Sequence, residues 1–113
     1  MTITVVGLGL IGGSMALSLK ENNFADTIIG VDNNAQHTAK ALSLKLVDKA
    51  MNLKDAIAQS DIIIVAAPVD VTAEILPNIL DLLSDNQVVI NVGSTKRPVV
   101  DGVKNHQIGR AHV

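Results

Sequence analysis

An α/β fold, a doubly wound parallel sheet of about five strands in the order 3-2-1-4-5, is what this 113-residue sequence predicts. Apolar β-branched runs alternate with stretches of helical period, the pattern of a parallel sheet with helices on both faces. One run, Asp61–Ala66 (DIIIVA), is apolar without alternation, as a strand buried on both faces must be. A glycine-rich turn also joins the first strand directly to the first helix. Right-handed crossovers then wind the chain outward from strand 1.

The elements follow in order. Thr2–Val6 (TITVV) reads as a strand. Ile11–Lys20 reads as a helix, with Ile11, Met15 and Leu19 on one face. Thr27–Val31 (TIIGV) is the second strand. Asn34 is placed to cap a helix whose inner face is Ala35, Ala39, Leu42 and Leu46. A short, weakly marked strand is expected near Leu46–Lys49, then a short helix over Leu53–Gln59. After the Asp61–Ala66 strand, Val71–Leu83 is helical, with Ile75, Ile79 and Leu82 inward and Pro77 expected to kink it or start a new turn. Gln87–Val92 (QVVINV) is the next strand and Thr95–Lys104 a final helix. Residues 1–105 thus read as one dinucleotide-binding domain. Residues 106–113 (HQIGRAHV) read as a tail outside it, of out-of-frame or expression origin.

Composition narrows the function. With 48% hydrophobic and 18% charged residues and a net charge of −2, the chain can bury one core and is too apolar for disorder. It has no basic run, and Phe24 is its single aromatic residue, which argues against a nucleic-acid surface. Met1–Leu19 carries no charged side chain, but it has no basic leader and four glycines interrupt it. A membrane or export segment is therefore not expected, and the chain reads as cytoplasmic. Without cysteine there is no disulfide or thiolate metal site. The histidines, His37, His106 and His112, form no metal-ligand spacing, and His37 reads as a surface residue of the second helix.

Gly7-Leu8-Gly9-Leu10-Ile11-Gly12 matches G-x-G-x-x-G between a strand and a helix. Asp32 ends the second strand about 20 residues after Gly12, as the dinucleotide fingerprint of a Rossmann-type domain requires. Gly7 lets the chain turn sharply, Gly9 lets backbone approach a pyrophosphate, and Gly12 lets the helix lie close to the sheet. The helix N-terminus then faces the phosphates. Asp32, with Asn33 beside it, is expected to accept hydrogen bonds from the adenosine ribose. No cation stands nearby for a 2′-phosphate, so NAD is expected over NADP. Each feature has a plainer reading: a packing turn for the glycines, a helix cap for Asp32. Ala66-Ala67-Pro68 ends the central strand, where a dinucleotide crosses such sheets, or is a plain strand-to-helix turn. Gly93-Ser94-Thr95-Lys96 stands at the same sheet edge, either toward the nicotinamide or as an ordinary helix cap.

The run Val6–Ser14 (VGLGLIGGS) resembles the start of the prephenate/arogenate dehydrogenase family. Leu46-Val47-Asp48, Asp61–Val69 (DIIIVAAPV) and Asn91–Lys96 (NVGSTK) resemble further family blocks in the same order. The resemblance covers roughly residues 2–104. It implies the NAD-binding half of a two-domain enzyme of tyrosine biosynthesis, which oxidatively decarboxylates prephenate to 4-hydroxyphenylpyruvate by hydride transfer to NAD+. It implies a helical C-terminal domain, absent here, that completes the substrate pocket and makes the parent a homodimer. It also matches Ser94 to the family serine near the nicotinamide and the substrate hydroxyl; the family role of Lys96 is unassigned.

Two departures stand out. The family's catalytic histidine lies in a His-Pro segment after a further strand, and no His-Pro occurs here. The stretch from Lys96 to His112 reads as too short to include that strand, so the catalytic role is not carried to His106 or His112. Lys45 stands where many members have a helix-ending glycine. The expected behaviour is cofactor binding without turnover. The alternatives are the cofactor domain of another 3-hydroxyacid dehydrogenase or imine reductase, or a non-catalytic NAD-binding module.

Overall fold

The computed structural model describes residues 1–92 and the backbone of 111–112. Its elements are β1 (Thr2–Val6), α1 (Leu10–Glu21), β2 (Thr27–Val31), α2 (Ala35–Ser43), β3 (Lys49–Ala50), α3 (Leu53–Gln59), β4 (Ile62–Val65), α4 (Val69–Leu82), β5 (Val88–Asn91) and β6 (Ala111–His112). The expected order 3-2-1-4-5 is found, and every adjacent pair is parallel. Thr2–Val6 pairs with Thr27–Val31 on one side, and its last four residues pair with Ile62–Val65 on the other. β1 therefore lies at the centre, where the winding reverses.

β6 was not expected. Ala111 pairs with Val89 and His112 with Ile90, which adds a sixth parallel strand beyond β5. The stretch after Lys96 does reach a further strand, and Ala111 and His112 of the tail contribute their backbone to the sheet. The expected helix Thr95–Lys104 lies outside the described residues.

Two clusters cover the two faces of the sheet. Val5 and Ile28 pack with Ala16 of α1 and Ala41 of α2. Val6, Ile63, Val65 and Val89 pack with Ile57 of α3 and with Leu76, Ile79 and Leu80 of α4. Each fully buried Ile or Leu contributes about 1.5–3 kcal/mol through removal of apolar surface from water. On the second face a polar strut crosses the core. The Thr4 hydroxyl bonds the Ser60 hydroxyl, Ser60 donates to the Ala56 carbonyl, and the Gln87 amide donates to the carbonyls of Ile57 and Ser60.

The expected helix faces are rotated from the observed ones in α1 and α2, whereas in α4 Ile79 is buried as expected. In α1 the buried residues are Gly12 and Ala16, while Ile11 is exposed and Met15 and Leu19 are half-buried. This helix lies so close to the sheet that only small side chains fit beneath it. In α2 the buried residue is Ala41, whereas Ala35, Ala39 and Leu42 are exposed. In α4 Thr72, Leu76, Ile79 and Leu80 are buried, Ile75 is half-buried and Leu82 is exposed. α4 starts at Val69 and runs on through Pro77. Pro77 and Ala73, four residues earlier, are both exposed, so the carbonyl without a donor faces water. β3 lies at 49–50 instead of 46–49, because Val47 is buried in the connection.

Lys45 adopts the left-handed conformation, with φ of 59°, which a glycine takes more readily. The amides of Lys45 and Leu46 bond back to the carbonyls of Leu42 and Ala41 and close the helix end. No helix among the described residues is long and apolar enough to cross a membrane.

Candidate functional site: a cleft over the glycine turn

A cleft of about 530 Å³ opens at the carboxyl ends of β1, β2 and β4. It is lined by Gly7, Gly9, Leu10 and Ile11 from the glycine turn, by Asp32 and Asn33 after β2, and by Ala66, Ala67 and Pro68 after β4. Nine residues singled out in the sequence are thus brought together. Leu8 and Gly12 do not line the cleft. Leu8 is buried in the core beneath the turn, and Gly12 faces the sheet. Gly93 and Ser94 lie outside the described residues.

The three glycines of the turn are needed for different reasons. Gly7 has φ of 95°, and a Cβ there would stand 2.8 Å from the Ala67 amide nitrogen. Its own N–H donates to the Val31 carbonyl at 2.7 Å, which ties the turn to β2. At Gly12 a Cβ would lie 1.7 Å from the Gly7 carbonyl oxygen, an impossible overlap. Gly9 differs from both. Its φ is −71°, and the nearest atom to an added Cβ is His37 Cε1 at 3.9 Å. Among the described residues nothing requires glycine at position 9; the space beside it is open cleft.

Gly9 is also the N-cap of α1, and no side chain caps that helix. The next residue, Leu10, is 89% exposed. The first turn of α1 therefore presents its amides and its positive dipole end at the cleft with no acidic residue in that turn.

Asp32 closes the opposite wall. One carboxylate oxygen accepts the Leu8 N–H at 2.6 Å and faces His37 Nδ1 at 3.1 Å. The other accepts the Asn34 N–H at 2.7 Å. Burial opposes its charge, but the bonds from Asn34, Leu8 and His37 outweigh burial and hold the carboxyl below the usual carboxylate range. Asp32 thus ties the glycine turn to the start of α2 and still faces the cleft. The cap of α2 is Asn34, whose side chain accepts the N–H groups of Gln36 and His37.

His37 is exposed, as expected of a surface residue, and it also lines the cleft. Its place in the first turn of α2, a few residues after Asp32, was the available signal. The cleft also takes Val71 and Ile75 from the start of α4 and Leu53 from α3. These apolar side chains sit beside core positions and carry no motif. A second depression of about 440 Å³ adjoins the first across Val31, Asp32, Asn33 and Leu53. Among the described residues, neither is lined by Lys or Arg.

The chain is similar in sequence and fold to known proteins. The chain is 37% identical over 102 residues to the prephenate dehydrogenase of Bacillus subtilis, a match covering 88% of this chain and 28% of that protein. It superposes with a TM-score of 0.86 on the Aquifex aeolicus prephenate dehydrogenase solved with hydroxyphenyl propionate and NAD+, at 29% identity, over 98% of this chain and 40% of that one. The Synechocystis arogenate dehydrogenase gives a TM-score of 0.80 at 30% identity, over 93% of this chain and 37% of that one. The chain thus spans well under half the length of these relatives. Residues 15–113 match the family described as prephenate dehydrogenase, nucleotide-binding domain, and the chain belongs to that family.

Proposed function

We propose that the cleft holds NAD+ and that the chain is the cofactor half of a dehydrogenase that oxidatively decarboxylates prephenate or arogenate. The observation that carries this reading is Gly9: a glycine that its own fold does not require, at the uncapped start of α1, facing open cleft. A pyrophosphate would explain both its missing Cβ and the unfilled helix end. When bound, NAD+ supplies the hydride acceptor.

The residues of this chain bind and orient. The first-turn amides of α1 would meet the pyrophosphate, with the close approach made at Gly9. Asp32 would accept from the adenosine ribose hydroxyls, and Asn33 flanks it. Ala66 and Ala67, with their small side chains, and Pro68 leave room for the dinucleotide to cross β4. A 2′-phosphate would set its charge against the Asp32 carboxylate with no Lys or Arg lining the cleft among the described residues, which favours NAD over NADP. By resemblance, Gly93 and Ser94 serve the nicotinamide end. The remainder of a full-length enzyme would supply the rest of the substrate pocket and the homodimer contact, so this chain is expected to bind without turning over prephenate. The named relatives do not favour another hydroxyacid dehydrogenase, an imine reductase or a non-catalytic module.

The test is calorimetric titration of the purified protein with NAD+ and with NADP+. Saturable NAD+ binding, with NADP+ much weaker, is the expected result. Equal affinity for both would remove the selector role of Asp32, and binding of neither would remove the cofactor reading.

A further inference from the structure

The Asp32–His37 pair makes more than a structural tie. A carboxylate can only accept, so the His37 Nδ1 that faces it at 3.1 Å must carry the hydrogen. In the neutral ring that leaves Nε2 as an acceptor. The ring edge next to Nε2 is placed by Cε1, the nearest atom to the empty Cβ position of Gly9, and the ring lines the cleft. In its neutral form the ring thus places a hydrogen-bond acceptor between the Asp32 carboxylate and the pyrophosphate approach, on a side chain that is 45% exposed.

We infer that His37 is a specificity residue for the adenosine ribose, acting with Asp32 as a second acceptor for a free 2′,3′-diol. This rests on the cofactor reading above and deepens it. A diol offers two hydroxyl donors, matching two acceptors. A 2′-phosphate offers lone pairs and negative charge, and meets a carboxylate on one side and, in the neutral ring, a nitrogen lone pair on the other. Discrimination against NADP+ therefore comes from two side chains, one of which the glycine fingerprint does not contain.

Three substitutions separate direct contact from mere support of Asp32. Asn at position 37 reproduces the Nδ1 donor toward Asp32 and lacks the outer nitrogen. Gln reproduces the outer position and lacks the inner one. Ala lacks both. Position 37 is half-exposed at a helix start, so all three variants should fold, which far-UV circular dichroism checks.

In titrations with NAD+ and NADP+, His37→Ala and His37→Asn should each weaken NAD+ about 5- to 10-fold, the worth of one hydrogen bond, with little change for NADP+. His37→Gln should stay within about threefold of the parent protein. Full NAD+ affinity in His37→Asn would show that the ring acts only through Asp32 and would overturn the inference. An unchanged NAD+/NADP+ ratio in all three variants, with the parent protein binding NAD+, would also overturn it while leaving the cofactor reading intact. A parent protein that binds neither nucleotide removes both.

Discussion

α1 and α2 begin side by side at one edge of the sheet, directly after neighbouring strands, and their first turns are completed in opposite ways. α2 is closed from within: the Asn34 side chain accepts two amides, and Asp32 accepts the Asn34 N–H. α1 begins at a glycine with no side-chain cap, and its first side chain points into solvent. A helix end satisfied by its own chain belongs to the fold. One left open over a cleft, beside a glycine that none of the described residues needs, is the kind of end that a ligand can complete.

The largest expected effect comes from the glycine that does belong to the fold. Gly12→Ala places a methyl 1.7 Å from a backbone oxygen on the packed side of α1. Relief requires moving the helix off the sheet, at a cost of about 4 kcal/mol or more, in the range that unfolds a small domain. The variant should express as insoluble or unfolded protein. A folded Gly12→Ala with an unshifted melting temperature would contradict the close packing.

Gly9→Ala is the counterpart at the open end. Its methyl meets nothing closer than 3.9 Å, so the melting temperature should stay within a few degrees. NAD+ affinity should fall by about 100-fold, because the methyl occupies the approach of the pyrophosphate. Retained binding would show that the opening serves no phosphate.

Asp32 stands between the two helix starts and should show both kinds of effect. Its carboxyl is held below the usual range, so the folded protein binds fewer protons there than the unfolded chain. The stability this gives is fully present above the unfolded value of about 3.9 and is lost as pH falls through the lower folded value. Asp32→Asn should therefore be less stable than the parent at neutral pH, with the gap closing in acid, and should also lose NAD+ preference. A gap of the same size at pH 7 and pH 3 in urea titrations would show that the carboxylate charge contributes no stability.

The same contrast explains what the sequence could reveal. Strands were legible because β-branched runs such as DIIIVA need no partner to be recognised, and the site was legible because three glycines and one aspartate fall at fixed spacing. Helix faces were not. Where a helix lies hard on the sheet, its inner residues are Gly12, Ala16 and Ala41, which carry little hydrophobic signal, while large residues such as Ile11 and Ile75 turn toward the cleft. A hydrophobic-periodicity reading then selects the wrong stripe. His37 was not read as a cleft residue because its five-residue spacing from Asp32 belongs to no fingerprint. β6 escaped because a two-residue edge strand has no periodicity to read.

The smallest expected effect tests the closed end. Asn34→Ala removes a side chain that accepts the Gln36 and His37 amides at 2.8 and 3.2 Å, while the backbone N–H that reaches Asp32 remains. The loss of such a cap costs about 1 kcal/mol. In a domain of this size that lowers the melting temperature by roughly 4–8 °C. NAD+ affinity should change by less than about threefold, since the cap's bonds stay within α2. Asn34 does line the cleft, so the result has a sharp alternative. A drop in affinity of tenfold or more with an unshifted melting temperature would mean that Asn34 serves the ligand instead of the helix. The two helix starts would then be halves of one binding surface, and the distinction between an end finished by the fold and an end left for a cofactor would no longer separate them.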